Sequence, residues 1–298
     1  MENALPAVIE AEATEIVTGR ERIGDRQLVE MWAARSSSPN TRRNYLRQAA
    51  RLLAFLEDRG LDLAAAHVGD IQEYLAGIEG APATRANATA SIKSLLSFAQ
   101  ETGYLRLNVG KVVKAPPIKN ALAERILSEA DAMRMLALET NPRNRALLTL
   151  LYGAGLRISE ACGLRWRDLA ERGDAGQATV FGKGGKTRVV LLSANTWRQI
   201  QDIAGEDVDP DAPVFLSRKG GALDPSQVHR IVKAAAARAG ISTEVSAHWL
   251  RHAHASHSLE RGAPIHLVQA TLGHASVATT GRYLHARPSD SSARYLGV

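Results

Sequence analysis

Cysteine is nearly missing from this 298-residue chain, where Cys162 stands alone. One thiol makes no internal disulfide, and within ISEACGL it reads as a small buried side chain rather than a reactive group. Aromatic residues are scarce at 5%, and with 45% apolar residues this suits globular domains built mostly from helices. Long hydrophobic runs are lacking as well. The longest, near Ala146 to Leu156, is broken by Thr149 and Gly153 and is too short to span a bilayer, so no membrane partner is expected. The N-terminus has neither the positive charge nor the unbroken apolar core of a secretory signal, since Glu10, Glu12 and Glu15 interrupt its apolar positions. A cytoplasmic protein is expected. Internal repeats are not evident.

Positive charge is what the chain does have: the net charge is +6 and the sequence pI is near 9.6, a balance that favours a polyanionic partner without requiring one. Five glutamates and two arginines precede Ile23, so the excess lies downstream of that acidic segment. Arg43, Arg47 and Arg51 recur every four residues, with Arg42 beside them, and Tyr45, Leu52 and Leu56 fall on the opposite helical face. That ridge reads equally well as a phosphate-contacting surface or as a solvated face.

The chain parses into an acidic tail over 1–23, a helical domain over 24–107, a linker over 108–126 and a second domain over 127–298. Apolar periodicity and turn signals predict helices over Asp25 to Ala34, Thr41 to Asp58 with Asn40 as its cap, Asp70 to Ile78, and Pro82 to Thr102. Pro82 should open the last of these, because its missing N–H costs nothing in a first turn. The linker lacks helical period and offers Lys111, Lys114 and Lys119 to phosphates, though a solvated tether would look the same. Ser128 with Asp131 forms the pattern of a capping box. Helices are predicted over Ser128 to Leu138, Pro142 to Tyr152, Ser159 to Leu164, Ala194 to Ala204, Pro225 to Ala239, Ser246 to Glu260, Ile265 to Thr271 and Val277 to His285. Between them, Ala178 to Gly182 and Thr187 to Leu192 read as a β-hairpin around a Lys-Gly-Gly-Lys turn. The fold class expected is mainly α with a small β-hairpin or sheet.

Six polar residues in the second domain carry chemistry: Arg157 in GLRISE, Lys183 in FGKGGK, His248 and Arg251 in HWLRH, His274 in LGH, and Tyr283 in TGRYLH. Arginine suits phosphate oxygens because its planar fork donates paired charge-assisted hydrogen bonds and stays protonated. His248 and Arg251 lie three apart on one helix face and can converge on one phosphate, with His252 on roughly the same face. A tyrosine offers a hydroxyl nucleophile, a lysine a proton for a leaving oxygen, and together they suit phosphoryl transfer from a DNA diester without metal. Spacing alone does not choose between Lys183 and Lys186. His248, His252, His254 and His257 also invite a zinc reading, but Trp249 stands where an HExxH site has glutamate and no acidic or cysteine cluster adjoins. No metal site and no cofactor are expected, and His254 and His257 read as packing or capping groups.

Order, type and spacing of these residues over Leu127 to Tyr283 resemble the tyrosine recombinase (phage integrase, Xer-like) family. The resemblance implies a two-domain, C-shaped DNA clamp, with a helical core-binding domain followed by the catalytic domain. It implies that Arg157 contacts the scissile phosphate, that Glu160 buttresses the site, that Lys183 protonates the 5′-oxygen, and that His274 is the family's second histidine. Tyr283, nine residues after His274, takes the nucleophile's place and would form a 3′-phosphotyrosine without ATP. Double-stranded DNA is the implied partner, in a complex of four copies or with a related recombinase, on the nucleoid of a bacterial host. Residues 291–298 would dock on a neighbour. The family usually has phenylalanine where this chain has His254. Two other functions use the same residues or fold: a type IB-like topoisomerase, which only nicks and relaxes, and a DNA-binding protein without chemistry.

Overall fold

Proline and small polar residues set where the helices begin. In the computed structural model, which describes residues 23–117, 122–182, 185–242 and 244–284, the chain divides into two compact units at residues 119 and 120. The first holds α1 (Asp25–Ala34), α2 (Pro39–Glu57), α3 (Val68–Ala76) and α4 (Pro82–Glu101). Pro39 and Pro82 each sit in a first turn, where the ring presets φ and no N–H is lost. The cap of α2 differs from expectation: Ser38 accepts from the Thr41 N–H at 3.4 Å, and Asn40 lies inside the helix. The serine hydroxyl reaches the orphan N–H from outside Pro39, so the helix starts two residues early. α3 likewise starts early, because the Asp70 carboxylate accepts the His67 N–H at 2.8 Å, and Gly77 follows its last residue.

The core of this unit gathers Leu28 and Trp32 of α1, Leu52 and Leu56 of α2, Ile71 of α3, and Ile92, Leu95 and Leu96 of α4. Each fully buried aliphatic side chain stabilises by about 2 kcal/mol. Trp32 stacks on Tyr45 at 4.0 Å between ring centres and donates to Ser94 Oγ at 3.2 Å, which fixes α1 against both α2 and α4. Arg42, Arg43, Arg47 and Arg51 are all exposed on the other side of α2.

The second unit holds α5 (Glu129–Ala137), α6 (Pro142–Gly153), α7 (Ile158–Gly163), β1 (Leu169–Arg172), β2 (Ala175–Phe181), β3 (Thr187–Leu192), α8 (Ala194–Gln201), α9 (Pro225–Arg238), α10 (Ala247–Glu260), α11 (Ile265–Leu272) and α12 (Val277–Gly281). Ser128 caps α5 through the Asp131 N–H at 3.0 Å, as its spacing with Asp131 predicts. The expected hairpin is present as β2 and β3, and a further strand, β1, extends it. The sheet has three antiparallel strands in the order β1-β2-β3, with Arg172 opposite Ala175 and Phe181 opposite Thr187. β1 escaped notice because LAER shows no apolar alternation; the signal was the two-residue turn at Gly173 and Asp174, where Gly173 takes φ +64°. α12 is also shorter than expected. Tyr283 and Leu284 return to the carbonyls of Thr280 and Gly281 at 3.1 Å, so Tyr283 lies in a tightened turn after the helix.

α10 is the central helix, packed by α5, α6, α9 and α11. Its buried residues include Leu250 and Ala253 but also Arg251, His252 and His257. A guanidinium and imidazoles inside a core need partners for their polar atoms, and every one of those partners comes from another element. That need draws α10, the α6–α7 turn and the α11–α12 turn together.

Candidate active site

The α6–α7 turn depends on Gly155, which takes φ +61° and whose missing side chain leaves room for the His254 ring, 2.7 Å from where a Cβ would stand. Two residues later Arg157 occupies the N-cap of α7, where its side chain accepts nothing from the helix. Glu160 does the capping instead: one oxygen accepts the Arg157 backbone N–H at 2.8 Å and the other accepts Arg157 Nη1 at 2.7 Å. Arg188 of β3 adds two parallel bonds to the same carboxylate, both at 2.8 Å. The Glu160 side chain is 2% exposed. Burial alone would raise its pKa, but the bonds from Arg188 and Arg157 overcome burial and hold it at about 2. Arg157 keeps 36% of its side chain open.

From α10, His248 is exposed and Arg251 is 1% exposed. Arg251 donates Nη1 to the Gly155 carbonyl at 2.5 Å and Nη2 to the Leu272 carbonyl at 2.6 Å, so it binds both neighbouring turns. Burial, then the charge of Arg157, lowers its pKa to about 10. Desolvation, then Arg251 and Arg157, also lowers His248 below the ordinary imidazole value. His252 is buried, shares a 2.7 Å hydrogen bond from Nδ1 to the Tyr283 hydroxyl, and is pushed down to about 3 by burial, His248 and Arg251. Held so low, His252 is neutral at pH 7 and does not retain a proton taken from the phenol.

The α11–α12 turn supplies the remaining groups. Gly273 closes α11 at φ +64°, and His274 then shares a 2.9 Å hydrogen bond from Nδ1 to Oγ1 of the fully buried Thr280. Burial and the nearby Arg251 and Arg157 bring His274 to about 4. Its ring lies parallel to that of Tyr283, 6.4 Å away between centres. Tyr283 is 6% exposed, and burial raises its pKa against the opposing pull of Arg251, Arg282 and Arg157.

Arg157, Glu160, His248, Arg251, His274 and Tyr283 therefore come to one place from three segments. Lys183 lies outside the described residues, as do Lys119, the tail over 1–22 and residues 291–298; Lys186 is described and exposed. Arg42, Arg43, Arg47, Lys111 and Lys114 belong to the first unit, where all five are exposed. Glu160, whose position also suits an ordinary surface carboxylate, is buried among arginines. His254 and His257 turn to backbone and Tyr152: Nδ1 of His254 meets the Tyr152 carbonyl at 2.8 Å, and His257 meets the Tyr152 hydroxyl at 2.9 Å and the Leu127 carbonyl at 3.1 Å. Sequence reasoning missed Arg188 altogether and gave His252 no task. The signal for Arg188 was its register, since it shares a strand face with buried Val190 and Leu192.

Two family models cover this architecture. Residues 121–290 match the phage integrase family, and residues 26–103 match the phage integrase N-terminal SAM-like domain. The chain belongs to the phage integrase family. Its class of enzyme within that family is the tyrosine-type site-specific recombinase. It is 35% identical over 270 residues to tyrosine recombinase XerC of Myxococcus xanthus, covering 84% of this chain and 88% of that protein. It is also 35% identical over 280 residues to tyrosine recombinase XerD of Mycobacterium leprae (strain TN), covering 84% and 87%. Among solved structures, XerH site-specific recombinase in a post-cleavage complex with palindromic difH substrate shares the fold at a TM-score of 0.72, with 22% identity over 88% of this chain and 81% of that one. A lambda integrase dimer bound to a COC′ core site does so at 0.72, with 20% identity over 90% and 77%.

Proposed function

We propose that this recombinase cuts and rejoins double-stranded DNA by passing one strand's 3′-phosphate to Tyr283. The observation that carries the reading is the placement of the Tyr283 hydroxyl, 2.7 Å from His252 in a cluster that holds Arg157, Arg251, His248 and His274. In the step proposed, the Tyr283 hydroxyl passes its proton by way of His252 Nδ1 to solvent as its oxygen bonds to phosphorus and the bond to the 5′-oxygen breaks. The arginines offset charge on the non-bridging oxygens, His248 and His274 as neutral imidazoles donate hydrogen bonds to them, and Lys183 protonates the departing 5′-oxygen. Arg157 and His248 are the open side through which a phosphate enters. Arg251 has five N–H donors and two are engaged by carbonyls, which leaves three to offer. The link to Tyr283 conserves the bond energy, so rejoining runs through the same groups in reverse without ATP. Exchange between two duplexes by four copies, in the cytoplasm and on the nucleoid, completes the proposal; the names of the relatives support recombination over simple relaxation.

The test starts from a pool of randomised duplexes carrying one nick, so that the short cleaved fragment diffuses away. Wild type should accumulate a denaturant-stable adduct on a Tyr283 peptide, and sequencing its DNA identifies the site. Tyr283→Phe removes one oxygen and should fold and bind DNA with no adduct. An adduct that persists in this variant, or maps to Tyr45, Tyr74, Tyr104, Tyr152 or Tyr295, overturns the reading.

A further inference from the structure

Three of the proposed catalytic groups stand on three separate pieces of chain: Arg157 at the start of α7, His274 in the α11–α12 turn, and Lys183 in the sequence between β2 and β3. Arg188 touches the first two and belongs to the strand that carries the third. Its Nη1 and Nη2 each donate to Glu160 at 2.8 Å, and Glu160 in turn holds both the backbone and the guanidinium of Arg157. Its Nε donates to the Thr271 carbonyl at 2.7 Å, three residues before His274. Gly273, between them, lies so close under Arg188 that a Cβ would stand 3.1 Å from Arg188 Cδ and 3.2 Å from Nη1. On the sheet side, Thr187 pairs with Phe181, and the Gly182 N–H donates to the Lys186 carbonyl at 2.7 Å, two residues from Arg188. The Arg188 side chain is 12% exposed, and all three of its nitrogens have protein partners. Those bonds take three of its five N–H donors, and the buried carboxylate already holds the paired face of the guanidinium that a phosphate would use.

We propose that Arg188 is a positioning residue: it fixes Arg157 through Glu160 and His274 through the Thr271 carbonyl against the β2–β3 turn, and it sets the rate of strand cleavage without touching DNA. This rests on the reading of Arg157 and His274 as phosphate ligands. The carboxylate of Glu160 faces Arg157 from its own helix, Arg188 from β3 and, through space, Arg251 from α10. Taking away Arg188 removes two of the four hydrogen bonds to that buried carboxylate and the largest influence that lowers its pKa. The carboxyl then protonates at a less acidic pH and releases Arg157.

The test compares Arg188→Met, Arg188→Lys and Arg157→Ala on the nicked duplex sequence recovered from the wild-type adduct, with full-length protein and single-turnover cleavage from pH 5 to 8. Arg188→Met should bind this DNA as wild type does and cleave it about 100-fold more slowly, the scale of loss from a catalytic group misplaced by about 1 Å. Its rate should also gain an acid limb that wild type lacks, and the limb should vanish when Glu160→Gln is added. Arg188→Lys restores one charge to Glu160 without the paired geometry and should recover part of the rate. It tests the same idea should the methionine variant unfold. Wild-type cleavage by a folded Arg188 variant, or a loss seen only as weaker, less salt-dependent DNA binding, overturns the positioning role. If Arg157→Ala itself cleaves at the wild-type rate, the reading of the site falls instead.

Discussion

At the scale of single residues, His252, His254 and His274 resist protonation for one shared reason: burial, reinforced by the charge of Arg251. His252 is lowered to about 3 and His254 and His274 to about 4, from an ordinary value of 6.5. The unfolded chain takes up protons below pH 6.5 that the folded chain refuses until near pH 4. Stability therefore holds above about pH 7 and falls as pH drops through 6.5 toward 4, by about 1.4 kcal/mol per pH unit for each excess proton on the unfolded chain. Glu160, lowered from 4.5 to about 2, acts in the same direction only at still lower pH. Urea unfolding followed by tryptophan fluorescence reads this out, since Trp166, Trp197 and Trp249 all lie in the second unit. Stability should be lower at pH 5 than at pH 7.5. His254→Phe, the residue type usual in the family at this position, should remove one proton from the slope; equal stability at the two pH values would refute the account. Arg157, His248, Arg251, His274 and Tyr283 could be singled out in the sequence because each side chain has a chemistry suited to a phosphodiester, as a cation, a hydrogen-bond donor or a nucleophile; Lys183 lies outside the described residues. His252 and Arg188 were not legible, because what marks them is a bond to another side chain, Tyr283 or Glu160, and such a partner becomes visible only when the fold brings it near.

Elements were legible where local chemistry decides them. Pro82 opens α4 and Ser128 caps α5, both readable from a few neighbouring residues. β1 and the short α12 were not, since LAER becomes a strand only by pairing with β2, and Val277 to Gly281 is held by the bond from Thr280 to His274. In the reaction proposed, the leaving-group proton comes from the segment between β2 and β3. Both Lys183 and Lys186 belong to it, and spacing alone leaves the general acid open. A leaving oxygen needs a proton and a leaving thiolate does not, so substrate chemistry separates the two. Lys183→Ala should slow cleavage of an ordinary phosphodiester and recover when sulfur replaces the 5′-leaving oxygen. Lys186→Ala should behave nearly as wild type. The opposite pattern assigns the proton to Lys186.

For the whole molecule, the question is how affinity and chemistry divide between the two units. Cleavage is assigned to one cluster in the second unit, whereas attraction to DNA adds over every exposed cation that meets a phosphate. The ridge on α2 is the clearest candidate in the first unit: Leu52 and Leu56 are fully buried on one face, and Arg42, Arg43, Arg47 and Arg51 stand exposed on the other. Among the described residues none of these four is in an ion pair, and Arg47 makes only an exposed hydrogen bond to Asn44. Sequence periodicity revealed the ridge but left its purpose open, because a solvated face and a phosphate-binding face carry the same residues. Ionic strength separates them. Each phosphate contact releases counterions, so losing one contact should flatten the plot of log affinity against log salt by about 0.9. Arg43→Ala and Arg47→Ala should each weaken binding to the selected duplex and reduce its salt dependence by about that amount, with cleavage of the saturated complex unchanged. Arg157→Ala should show the reverse, a lost cleavage rate with affinity nearly intact, because one phosphate among many supplies little of the binding. An unaltered salt slope in both ridge variants would make the ridge a solvated face and move the first unit's DNA contacts elsewhere on its surface.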